Sequence, residues 1–141
     1  MGSYLWLVWY EAPSKNAPKH WTLAVSYEAN DRAYATVYEA CVDFTGRYDS
    51  RVTRRVPLTG NHPSGPYGGK ILLGQVNDNV LRSLEAYSDT AVELVNSHNR
   101  KRGPGSSSCH HWAIIIVRSL EDALLLPKGA LTRVEKCPRA G

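Results

Sequence analysis

Apolar and polar positions follow one period over the first half of the chain and another over the second. Residues 3–12, Ser-Tyr-Leu-Trp-Leu-Val-Trp-Tyr-Glu-Ala, are aromatic and branched and stop at Pro13, which reads as a strand. Two prolines and an Asn over 13–18 make a turn. Residues 19–28 alternate: Trp21, Leu23, Val25 and Tyr27 share one side, and His20, Thr22, Ala24 and Ser26 the other. Asn30-Asp31 marks a hairpin turn, and a third strand is expected over 33–44. The Arg-rich stretch 47–57 reads as a fourth strand, the Gly- and Pro-rich stretch 58–69 as loop, and 70–76 as a short fifth strand.

The period then lengthens. From Asn77 to Asn96, apolar residues recur at Val80, Leu81, Leu84, Tyr87, Ala91, Val92 and Val95, a helical spacing with Asn77 or Asp78 as its cap. Residues 97–108 hold nothing to bury and read as a flexible loop carrying the basic patch Arg100, Lys101 and Arg102. A second helix opens near Cys109 and runs through Trp112, Ile115, Ile116, Leu120 and Leu124 until Pro127 and Gly129 stop it. The expectation is one domain over 1–141: strand-rich to 76, helical over 77–127, and a tail over 128–141. The fold class is α+β, a mainly antiparallel sheet of about five strands with two helices on one face. The small side chains beside His20 predict that the helices pack on that face.

Composition narrows the function. The chain has 141 residues, of which 43% are hydrophobic and 21% charged, a globular balance that excludes intrinsic disorder. Seventeen Lys and Arg against 13 Asp and Glu leave a net charge of +4, far below that of a dedicated DNA binder. No apolar run approaches the roughly 18 residues of a membrane span. The start shows no basic region followed by a cleavage site, and Trp6 breaks the N-myristoylation pattern. Three cysteines, an odd number, do not make a disulfide scaffold, so free thiols in a reducing cytoplasm are expected.

Of those thiols Cys109 carries the chemistry. It follows three serines and opens an apolar helix, where unpaired N–H groups and the helix dipole stabilise a thiolate and an oxyanion. A nucleophilic thiol needs a base. His110 and His111 lie one and two residues along the same helix and point away from Cys109. His62 and His98 fall in loops expected to face solvent. His20, on its strand, is the base by elimination.

These residues carry a family resemblance. "Lys-His-Trp-Thr-Leu-Ala-Val", then a hairpin, then "Ser-Cys-His-His-Trp" opening an apolar helix, resembles the permuted branch of the NlpC-type papain-like superfamily. Lecithin:retinol acyltransferase and its relatives carry a "His-Tyr-Gly-Ile" strand and an "Asn-Cys-Glu-His-Phe" helix start. The chain is also similar to small fungal proteins with a "His-Trp" strand and an "Asn-Cys-Gln" helix start. The resemblance covers about residues 4–45 and 106–127. It implies a circularly permuted papain-like fold and acyl transfer by a Cys109–His20 pair on an amide, ester or thioester. His111 and Trp112 match the His and Phe after the family's Cys, and Ser108 replaces its Asn. The substrate implied is a small molecule, a peptide or an acyl carrier, with no cofactor. Trp21, Trp112, His111 and Ser108 are expected to line the substrate pocket. The group that orients His20 is expected at Thr36 or Tyr38 on the third strand. Glu39 and Asp43 stay open for a different register.

Three other readings compete. A metal site drawn from Cys41, Cys109, Cys137, His110 and His111 lacks zinc spacing. A nucleic-acid surface would use Arg47, Arg51, Arg54, Arg55 and Arg100 to Arg102, for which a solvated strand face is the simpler account. An inactive papain-like binding module is the third. The Gly65–Lys70 stretch lacks phosphate-loop spacing and reads as a turn at the rim of the cleft.

Overall fold

A computed structural model describes residues 2–103 and 108–140. Five strands, β1 (Ser3–Tyr10), β2 (His20–Ser26), β3 (Tyr34–Val42), β4 (Tyr48–Pro57) and β5 (Tyr67–Val76), form one antiparallel sheet in the order β4-β3-β2-β1-β5. Helices α1 (Asp78–Arg102), α2 (Cys109–Asp122) and α3 (Ala130–Glu135) follow. The architecture is α+β, as the change of period predicts. The third helix falls within the segment expected to be a tail.

The helices cover the face opposite the one expected. Leu5, Leu7, Trp21, Leu23, Val25 and Tyr38 form one core with Leu84, Val92, Val95, Trp112, Ile116 and Leu120 of α1 and α2. Burying large apolar side chains outweighs the close approach that small ones permit. The His20 face carries a smaller cluster of Trp6, Val8, Tyr10, Ala24, Ala35 and Val37. It is closed by Leu58, whose N–H bonds to the Ala33 carbonyl at 2.9 Å. The stretch after β4 is therefore anchored, although its composition reads as solvated loop.

Helix α1 starts where Asn77 accepts the Val80 N–H at 3.0 Å, and runs six residues past the expected end. Asn96 explains the extension. Its amide accepts the Tyr48 N–H at 2.8 Å and donates to the Tyr48 carbonyl at 2.9 Å, so a polar residue is buried with both partners supplied. Arg100, Lys101 and Arg102 then form a last turn, where their charge complements the helix dipole. They lie on a helix, not on the loop expected; residues 104–107 of that loop fall outside the described residues. Strand β5 likewise begins three residues early. Trp9 lies across Gly69, where a Cβ would sit 2.4 Å from its ring.

Candidate active site

The cleft opens where β1 ends, β2 begins and β3 ends. Two anchors bring α2 to that corner. Ser108 caps the helix by accepting the His110 N–H at 3.2 Å. His110 donates from Nε2 to the Lys19 carbonyl at 2.7 Å and packs on Trp21 with ring centroids 4.4 Å apart. Burial pushes the His110 imidazole below its ordinary value, so it serves as a neutral donor. The Cys109 sulfur lies 4.0 Å from the same Lys19 carbonyl. The C-terminal segment straps the corner, with Lys19 N–H on the Arg139 carbonyl at 2.8 Å and Trp21 Nε1 on the Pro138 carbonyl at 2.9 Å. The Cys109 sulfur and the His20 imidazole, 89 positions apart, are thus held at the first residues of two elements docked on each other.

Glu39 is the group beside His20. The pair Leu23↔Tyr38 sets the β2–β3 register, and one step along it puts Glu39 opposite Thr22, on the His20 face. Glu39 Oε1 lies 2.8 Å from His20 Nε2 and 2.9 Å from His62 Nε2. The Glu39 side chain is 3% exposed. Burial alone would raise its pKa, but the two imidazole hydrogen bonds hold it well below the usual carboxylate range. An ionised carboxylate only accepts, so both Nε2 atoms donate. His20 then has only Nδ1 left for the thiol. Burial would lower the His20 pKa; hydrogen bonding to Cys109 and Glu39 overcomes it and raises the pKa to about 9.

His62 does not face solvent. Its side chain is 12% exposed, and its ring lies 4.7 Å from that of Tyr10 and 4.9 Å from that of His20, centroid to centroid. A tight turn presents it: His62 and Gly65 exchange backbone hydrogen bonds at 3.0 and 2.9 Å around Pro63 and Ser64. Gly65 has φ +155°, and a Cβ there would lie 2.1 Å from the Glu11 carbonyl oxygen. No periodicity marks such a residue; a His-Pro-Ser-Gly turn four residues after an anchoring Leu58 is the only local signal.

The residues expected around the site divide accordingly. His20, Ser108 and Cys109 line one cleft of about 470 Å³ with Glu39, Cys41, Tyr48, Arg51, His62 and His110. Thr36 lies elsewhere: it pairs with Val25 and lines a separate cavity with Tyr27, Tyr34 and Arg55. Three residues, roughly 10 Å of strand, separate it from Glu39. Tyr38 faces the helices, as its pairing with Leu23 requires. Trp21 and Trp112 are fully buried core residues and do not line the cleft, because they lie on the helix-covered side. His111 is exposed, with its ring 5.8 Å from that of His98 on α1. Asp43 is exposed and accepts the Thr45 and Arg47 N–H groups of its turn at 2.8 and 3.0 Å.

His20, Glu39 and His62 also form a possible metal donor set, their ligand atoms within 4.8 Å of one another. The chemistry of His62 opposes it. Its Nδ1 accepts the Ser64 backbone N–H at 2.9 Å, so the ring proton sits on Nε2, the atom a metal would need. Loading would cost that hydrogen bond.

No protein-family model, curated protein or solved structure matches the chain.

Proposed function

We propose that this protein is a thiol enzyme of acyl transfer, with Cys109 as nucleophile, His20 as its base and Glu39 as the group that orients His20. The observation that carries this reading is the Glu39 carboxylate on His20 Nε2, which leaves the other ring nitrogen for the sulfur.

With the thiol proton held on His20 Nδ1, the sulfur attacks the carbonyl carbon of an amide, ester or thioester. The oxyanion meets the N–H groups of the first turn of α2, which no carbonyl within the helix can accept. Collapse breaks the bond to the leaving group, which takes the proton from His20, and leaves a thioester on Cys109. Water, an amine or an alcohol then attacks that thioester through the same imidazole. The wall of the cleft mixes charged and polar side chains with apolar ones, among them Pro13, Ala40, Val42 and the ring of Tyr48. The reading follows the resemblance to papain-like acyltransferases, with a glutamate as the orienting group.

The test is a thiol-directed acylating probe followed by peptide mass mapping. The other two thiols are poor competitors. Burial, with Glu39 adding to it, pushes Cys41 up to about 11, and burial pushes Cys137 up to about 11. Label is expected on Cys109, to be lost in His20→Ala, with little on Cys41 or Cys137. Equal labelling of all three thiols would refute the assignment.

A further inference from the structure

We propose that His62 is a positioning residue of this site: a neutral imidazole of fixed tautomer, presented by the 62–65 turn, that holds the Glu39 carboxylate from the side opposite His20. The role rests on the function proposed above; the tautomer does not.

The Ser64 N–H on Nδ1 and the Glu39 carboxylate on Nε2 together fix where the ring proton sits. Both imidazoles donate to the same oxygen, Oε1, so the carboxylate is pinned in one rotamer. Tyr10 and His20 pack against the His62 ring and restrict its swing. His62 therefore does for Glu39 what Glu39 does for His20. It supplies the second donor that a buried carboxylate needs in order to remain ionised beside one histidine.

Among the described residues, titratable and charged groups face Glu39 from several elements. His20 comes from β2 and His62 from the turn. The Cys41 thiol interacts with it on its own strand, and the Tyr10 hydroxyl from β1 is within electrostatic range. Arg51 of β4 is its cross-strand partner. Of these, His20 and His62 make the hydrogen bonds that lower the carboxylate. Loss of the His62 donor makes Glu39 easier to protonate, frees the His20 ring to turn, and moves the acid limb of Cys109 reactivity to higher pH.

Two measurements test this. In imidazole ¹⁵N spectra at about pH 8, above the ordinary histidine range, His62 is expected to show an unprotonated Nδ1 and a proton on Nε2. A proton on Nδ1, or averaging between tautomers, overturns the assignment even if Cys109 has no activity. The second is the pH profile of Cys109 alkylation by iodoacetamide in His62→Phe, which keeps a ring but no donor, and in His62→Gln, which keeps an N–H. Thermal unfolding confirms that both fold. His62→Phe is expected to slow alkylation at neutral pH about tenfold, because the released His20 ring is a poorly placed base, and His62→Gln to recover most of it. A wild-type profile in His62→Phe, or equal loss in both variants, overturns the positioning role. His20→Ala separates the two failures. If that change leaves Cys109 alkylation untouched, the function proposed above falls, and the positioning role with it; if it matters and His62→Phe does not, only the His62 proposal falls.

Discussion

At the scale of single residues, the site depends on where one proton rests. The His20 pKa stands at about 9 against an ordinary 6.5, because the thiol and the carboxylate together outweigh the burial that would lower it. A raised histidine stabilises the fold fully below its unfolded value, and that contribution is lost as pH climbs from 6.5 towards 9. Glu39 is shifted the other way, so its contribution is present above the ordinary carboxylate value of 4.5 and is lost as pH falls through the acid range. His110, held neutral by burial, also disfavours the folded state as pH falls below 6.5. The difference in unfolding free energy between wild type and His20→Gln isolates the first effect. It is expected to shrink between pH 6.5 and 9; a difference constant over that range would mean the imidazole gains nothing from its partners. Cys109 and His20 stand out in the sequence because each sits at the start of an element whose pattern is plain. Glu39 does not, because on a strand buried on both faces Thr36, Tyr38 and Asp43 look equally eligible.

At the scale of elements, strand register and turn geometry set the chemistry. A shift of one residue between β2 and β3 would send Glu39 to the helix side and bring Tyr38 to His20. Periodicity within a strand fixes which residues share a face, but not which residue of the next strand they meet. The 62–65 turn shows the same limit: Gly and Pro mark it as a turn, while its attachment to β1 comes from backbone contacts that no local pattern records. Gly65→Ala tests that attachment. A Cβ there would overlap the Glu11 carbonyl, so the turn must lift and carry His62 away from Glu39. The expected outcome is a loss of about 2 kcal/mol, from strain and the lost hydrogen bonds, with slowed Cys109 alkylation. Measurement of both on one sample tests it; unchanged reactivity would show that the turn is not coupled to the site. Helix α1 makes the converse point, since six polar residues past its expected end stay helical once Asn96 secures β4.

At the scale of the whole molecule, the larger core lies between the sheet and the helices, and the tryptophans expected to shape a substrate pocket belong to it. Trp112 is completely buried, with its indole N–H 3.3 Å from the Ser88 carbonyl and hydroxyl oxygens. Trp112→Ala is expected to cost about 4 kcal/mol through lost burial and the cavity left behind. A lining role would instead change reactivity or substrate choice at little cost in stability, and chemical denaturation alongside alkylation tells the two apart. The sequence by itself determined the order of the five strands and the first two helices, the α+β class, and the two element starts that carry a thiol and an imidazole, because those follow from local periodicity and capping. Only the tertiary structure decided which sheet face the helices cover, that Glu39 and not Thr36 or Tyr38 meets His20, and that His62 closes on the carboxylate. Those are matters of register and docking between segments far apart in the chain, settled by the joint burial of large apolar surfaces and the pairing of buried polar groups.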